Sequence, residues 1–362
     1  MPRYRLSAVL FWVAIAHSLH DERAGAHRSK RWSADRVVEQ RCRAQDDFVK
    51  NSFDRSDWMY SQRDRLSDTR LVDVRMIGSH NSASYGISKP FDEYSVCQNA
   101  AVGSQLAAGA RYMDVRVGLY DHAQPGVRTG HGPHHGPPVK HVLDQIANFS
   151  RDHPREFVVV SIKDANWATL RPRHKWALMG DVRAAFEQLM VTSLDQWFDL
   201  ATTTMGQIWA RNRTLLVLYG ESLLHGVDDE SGRLVNVSSR RAASMGLHVR
   251  NERTIYDPWA NTHSIDALFD TLDTFYANRP QPRRQLFVAQ FVLTANLILT
   301  DGIDTLTAQL QRTDRVRAWL AQHPDHNIVF LDFMLGVGAQ ERQLAIGLLD
   351  QVMGYSNDTA TS

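Results

Sequence analysis

Phe157-Val158-Val159-Val160-Ser161-Ile162 is apolar on both of its faces. It follows a stretch, residues 139–151, whose apolar positions recur at helical spacing. A strand that hides both faces lies in a sheet covered by helices on each side, which is the situation of parallel sheets. The alternation repeats along the chain. Short runs rich in Val, Ile, Leu and Phe at 71–77, 112–117, 157–162, 215–219, 286–291 and 328–333 read as strands. Residues 96–110, 139–151, 174–189, 265–277, 306–321 and 342–353 read as amphipathic helices. Gly78, directly after the first of these strands, reads as a turn. Residues 228–256 are polar and aperiodic and read as an insertion or long loop. The pattern specifies one α/β domain with a parallel sheet. A barrel is the economical reading, and pattern alone leaves an open doubly wound sheet standing beside it.

The 362 residues carry 41 Lys plus Arg against 40 Asp plus Glu, a formal net charge of +1 that supplies no global field for nucleic acid. With 43 % hydrophobic and 22 % charged residues and only 2 Cys, the chain is neither disordered, nor collagen-like, nor a disulfide-stapled miniprotein. Arg3, Arg5, the apolar run at 6–16 and Ala14-Ile15-Ala16 read as a secretory signal peptide over 1–16. That run is too short to span a bilayer. Arg28-Ser29-Lys30-Arg31 resembles a processing site, giving a propeptide at 17–31 and a lead-in at 32–56. The barrel domain then occupies 57–354, with a tail at 355–362. Sequons at Asn148, Asn212, Asn236 and Asn357 accord with a secreted glycoprotein, and Cys42 and Cys97 are able to pair in an oxidising compartment.

In a parallel α/β barrel, chemistry sits at the carboxyl ends of strands. Unusual polar residues occupy such places here: Gly78-Ser79-His80-Asn81-Ser82 after the first strand, Asp114 and Arg116 two apart on the second, His131 in the loop beyond it, and Asp332 at the last. Each alone has a bland explanation: a cap, or an ion pair closing one end of the barrel. The histidines at 122, 131, 134, 135 and 141 include residues suited to metal, but without a compact helical His-x-x-x-His a solvated loop is the plainer reading of His122, His134 and His141. Together, two imidazoles, a guanidinium and supporting carboxylates are what metal-free phosphodiester transfer requires. One histidine takes a proton, the other gives one, and the arginine stabilises the phosphoryl oxygens.

At these residues the chain resembles the X-domain family of phosphatidylinositol-specific phospholipases C, in the style of the bacterial single-domain enzymes and the animal X-domain-containing proteins. The resemblance rests on Asp57-Trp58-Met59, Met76-Ile77-Gly78-Ser79-His80-Asn81-Ser82, Arg111-Tyr112-Met113-Asp114-Val115-Arg116-Val117, and His131-Gly132-Pro133 leading to Pro138-Val139-Lys140-His141-Val142-Leu143. His153-Pro154-Arg155-Glu156 and Ile328-Val329-Phe330-Leu331-Asp332-Phe333 complete it. It runs from about Asp57 to Asp350 and is poor between about Asp195 and Ile265. It implies a single distorted TIM-type (β/α) barrel that cleaves phosphatidylinositol, or its glycosylated form, to diacylglycerol and a cyclic inositol phosphate. By the same resemblance His80 is the general base with Asp332 as its partner. His131 is the general acid, with His135 its rival; Arg116 holds phosphate, and Asp114 sits in the cluster. Lys163 and Asn81 fall at substrate-side positions. Asn81 stands where bacterial members carry an Asp that positions the second histidine, and in this it is like the calcium-binding eukaryotic enzymes. Arg116, however, occupies one of the calcium-ligand positions, and a fixed cation there opposes a divalent ion. The expectation is therefore catalysis without metal or cofactor, by a monomer in transient contact with a lipid surface. Trp167, Trp197 and Trp259 are the aromatic residues available for that contact. A catalytically silent X-domain that binds inositol lipid or a protein partner is the second reading. A metal-dependent phosphodiesterase using the His-rich loop is the third.

Overall fold

The computed structural model describes residues 43, 45–87, 92–120, 126–165, 170–225, 227–228, 234–235, 237–296 and 300–355. Residues 1–16 and 17–31, expected to be a signal peptide and a propeptide, lie outside them, as do Cys42, His122, Trp167, Asn236 and Asn357.

Thirteen strands are described: β1 Met76–Ser79, β2 Ala110–Leu119, β3 Val127–His131, β4 His134–Pro138, β5 Val158–Asp164, β6 Met190–Val191, β7 Leu215–Gly220, β8 Val227–Asp228, β9 Leu234–Val235, β10 His248–Arg250, β11 Ile255–Tyr256, β12 Leu286–Phe291 and β13 Ile328–Leu331. Eight of them form one curled parallel sheet in the order β10-β7-β5-β2-β1-β13-β12-β11. Among the described residues no ladder joins β10 to β11, so the barrel is open along one seam, between two strands separated only by residues 251–254. Helices Val102–Ala107, Val139–Asp152, Pro172–Phe186, Ile265–Ala277, Ile303–Gln311, Arg315–Gln322 and Ala339–Met353 follow strands in the βα manner. The interior strands β1, β5, β7, β12 and β13 are buried almost throughout, as their two-sided apolar runs require. Among the described residues no helix is long and apolar enough to cross a membrane.

Several sequence expectations shift. Residues 71–77 form a 3-10 turn, Leu71–Asp73, before β1 begins at Met76. Gly78 is within β1 rather than in a turn: a Cβ there would lie 2.9 Å from both Ile328 Cγ2 and Phe330 Cδ2, so glycine is needed for the close approach of β1 and β13. The helix expected at 96–110 is confined to Val102–Ala107. Ahead of it, backbone groups are claimed from outside: the Cys97 N–H donates to Ser84 Oγ, and the Cys97 carbonyl accepts from Phe333 N–H. The helix expected at 306–321 is broken in two between Gln311 and Arg315. The segment at 228–256, read as a loop, contains β10 and reaches β11, both members of the barrel sheet.

The amino-terminal end of the barrel is sealed by charge. Arg111 and Glu156 pair at 2.6 Å with both side chains fully buried. Arg111 also donates to the carbonyls of Leu106, Ala110 and Ser56, and Glu156 accepts the N–H groups of Met59 and Tyr60. Trp58 is buried beside them and donates its indole N–H to Gly109 O at 3.1 Å. The motifs around Asp57 and Glu156 therefore pin the lead-in across the barrel floor.

Candidate active site

At the opposite end the strand termini surround a cleft of about 670 Å³, within the range of small-molecule sites. His80 follows β1, where its backbone N–H donates to Leu331 O and places the ring over β13. Its Nδ1 faces Asp332 Oδ1 at 2.6 Å, and Arg116 Nη2 donates to Nε2 at 2.6 Å. The two contacts assign the ring: Nδ1 carries the proton toward the carboxylate, and the lone pair is at Nε2.

Asp114 and Arg116 share one face of β2, as residues two apart on a strand do. Asp114 is fully buried and does not line the cleft; it works from behind. Its Oδ2 accepts from Arg116 Nε and from the Asn81 backbone N–H, both at 3.1 Å, and its Oδ1 meets Lys163 Nζ at 2.7 Å. Lys163 is the register partner of Arg116 on β5. Burial alone would raise the Asp114 pKa, but Lys163 and Arg116 outweigh it and hold the carboxyl far below the usual range. Burial pulls Lys163 down to about 8, with Asp114 opposing the shift and Arg116 adding to it.

His131 ends β3 in a hairpin with β4, turned by Gly132 at φ +56 and Pro133. This hairpin was read from sequence only as a turn-rich loop. His131 and His80 both line the cleft, their ring centroids 6.2 Å apart. Its Nδ1 donates to Ser95 O at 2.9 Å, leaving Nε2 as its acceptor. Burial first, then Arg116 and His80, lower its pKa to about 3. The rival His135 and its neighbour stand elsewhere: the His135 ring packs edge-on against Tyr120, and His134 is buried with Nδ1 2.8 Å from Ser95 Oγ. His134 is thus not a solvated loop residue, and His141, though exposed, is on the helix Val139–Asp152 rather than in a loop.

Asn81 is fully buried, does not line the cleft, and has φ +40, a left-handed conformation that Asn tolerates. Its side-chain amide has no hydrogen-bond partner, so the anchoring of His131 falls to the Ser95 carbonyl instead. Nor does the donor set suit a hard divalent cation, which takes six or more oxygens. Both Asp114 oxygens are engaged by cations, and Arg116 stands among the same groups. Cys97 is a free, buried thiol; the pairing partner envisaged for it, Cys42, is outside the described residues. Asn148 and Asn212 are both exposed.

Sequence reading missed most of the far wall of the cleft and named Trp259 alone, as a lipid-contact residue. Arg250 at the end of β10 pairs with Asp257, Gln290 Nε2 donates to Asp257 O at 2.7 Å, and Trp259 stands 54 % exposed at the rim. Gln290, the one polar residue in the run Leu286-Phe287-Val288-Ala289-Gln290-Phe291, was the available signal. Trp197 is not a free aromatic: its Nε1 donates to Asp195, and Arg211 stacks over its ring.

No protein-family model matches the chain. It is 26 % identical over 320 residues to a mouse protein named PI-PLC X domain-containing protein 1, covering 78 % of this chain and 83 % of that one. It is 28 % identical over 148 residues to the variant-surface-glycoprotein phospholipase C of Trypanosoma cruzi, covering 33 % and 39 % of the two chains. Among solved structures, the phosphatidylinositol-specific phospholipase C of Listeria monocytogenes superposes with a TM-score of 0.57 at 16 % identity, over 82 % of this chain and 98 % of that one.

Proposed function

In sequence and fold this chain falls with the PI-PLC X-domain proteins, and from that premise we propose that it is a phosphodiesterase that cleaves phosphatidylinositol, plain or glycosylated, to diacylglycerol and a cyclic inositol phosphate. The observation that carries the reading is the pair His80 and His131 facing one cleft, with Arg116 at His80 and Asp332 on its far nitrogen.

Arg116 covers the lone pair of His80. A bound phosphodiester, carrying one negative charge, draws the guanidinium onto its oxygens and uncovers Nε2. His80 then removes the proton of the inositol 2-hydroxyl, and Asp332 stabilises the resulting imidazolium. The oxygen attacks phosphorus, and the glycerol oxygen leaves with a proton from His131. Burial is the larger cause of the low His131 pKa and Arg116 adds to it; the substrate's charge offsets the Arg116 part, which favours the protonated acid. Lys163, Arg250 and Asp257 offer hydrogen bonds to ring hydroxyls, and Trp259 offers a face for the sugar. With residues 1–16 as a secretory signal, the reaction takes place outside the cell, on the outer face of a membrane.

The unpartnered amide of Asn81 and the low pKa of His131 favour a second reading, a lipid-binding module without turnover. The full chain incubated with phosphatidylinositol micelles and followed by phosphorus NMR separates them. A cyclic inositol phosphate signal in chelator is the expected result. Lipid bound without product supports the module, and product only with added Ca²⁺ overturns the role given to Arg116.

A further inference from the structure

Beside the His80–Asp332 pair stands a group that the proposed reaction does not use. Cys97 Sγ is 3.6 Å from His131 Nδ1 and 3.8 Å from Ser95 O. One donor atom each from His80, Cys97 and Asp332 lies within 4.8 Å of the other two, and all three residues are buried. Asp332 gives Oδ1 to His80, but its Oδ2 is buried with no hydrogen-bond partner. A nitrogen, a sulfur and a carboxylate oxygen thus converge beside the catalytic dyad, and Asp332 keeps one oxygen unspent. His80 and Asp332 reach the cleft, which gives an ion a way in.

We propose that His80, Cys97 and Asp332 bind a thiophilic divalent cation of the Zn²⁺ type, and that this ion switches the catalytic base off. The ligand types decide the class of metal. Imidazole, thiolate and carboxylate are the usual donors for zinc, whereas Ca²⁺ and Mg²⁺ require oxygen cages that are not built here. Zinc–ligand bonds of about 2.0–2.3 Å place tetrahedral donors roughly 3.3–3.8 Å apart, so the three side chains draw in by about 1 Å, with water completing the shell. The step balances as Zn²⁺ plus the Cys97 thiol giving the zinc thiolate and one proton. Thiolate and Asp332 then neutralise both charges of the ion, which limits its repulsion by Arg116. A neutral imidazole has one in-plane lone pair. Whichever nitrogen the metal takes, Arg116 gives up its bond to Nε2, the other nitrogen carries the proton, and His80 has nothing with which to accept one. Metal binding stands independently of the functional reading; inhibition rests on it.

Reduced full-length protein, stripped of metal and titrated with Co²⁺ as a spectroscopic probe, tests the site directly. A thiolate-to-cobalt charge-transfer band saturating at one equivalent is expected, displaced by Zn²⁺, kept in Cys42→Ser and lost in Cys97→Ser. In the cleavage assay, half-inhibition of Cys97→Ser, measured against its own uninhibited rate, should need about tenfold more Zn²⁺ or higher. No band in the wild-type chain, or a band that survives Cys97→Ser, overturns the site. If Cys97→Ser does not fold, Asp332→Asn supplies the same readout, and an unchanged band and affinity in that variant likewise overturn it. A band that depends on Cys97, in a chain that never cleaves phosphatidylinositol, keeps the site and defeats the functional reading instead.

Discussion

Arg111 and Arg116 leave the same strand, β2, at opposite ends of the barrel. Arg111 meets Glu156 with neither side chain exposed, and its remaining donors all find carbonyls. Arg116 is 20 % exposed, shares Asp114 with Lys163, and spends its outer nitrogen on an imidazole that a substrate is expected to claim. Around it the Asn81 amide and Asp332 Oδ2 are buried without partners. A buried ion pair with every hydrogen bond made fixes a structure, and leaving one partner alone is costly. A cluster left partly unsatisfied is available for a ligand. The same residue types therefore serve cohesion at the floor and chemistry at the rim.

The sharpest way to break this contrast is to damage each end separately. His80→Ala is expected to lower phosphatidylinositol turnover by about 10³–10⁴-fold with a smaller loss of stability than Glu156→Ala, because its ring lines the cleft and holds Asp332 by a single hydrogen bond. A large loss of stability in that variant would show that the rim also carries the fold. Glu156→Ala should do the reverse. Stability to urea should fall by about 3–5 kcal/mol, since Arg111 is left charged and buried, with kcat of the folded fraction unaffected. Loss of kcat at full folding would mean that the two ends are coupled.

The smallest effect concerns pH. Lys163 is a cation below its pKa of about 8 and neutral above it, so kcat/KM for an anionic lipid should decline as pH rises through that value. Lys163→Arg, which stays charged throughout this range, should carry the alkaline limb upward. An identical limb in the variant would remove Lys163 from the substrate's surroundings.

Much of this was legible in the chain, and the failures have common causes. Strands with both faces apolar, such as 157–162, declared themselves, and so did His80, Arg116 and Asp332, because polar residues at the ends of such strands are conspicuous. β10 and β11 did not, being only three and two residues long in a polar segment and held by neighbours rather than by their own pattern. With them went Arg250 and Asp257. The β3–β4 hairpin was hidden by Gly and Pro, which signal turns but not the strands on either side.

The amino-acid pattern alone settled the α/β class, most of the buried strands and the residue types available for proton transfer, because burial and periodicity are local and additive. It did not determine which partners those residues would take. That His131 hangs on the Ser95 carbonyl, that Arg116 covers His80, and that Cys97 stands beside Asp332 are decided by contacts between segments far apart in the chain. Hydrogen bonds and charge pairs act over a few ångströms, and only the closing of the barrel brings such groups within that range.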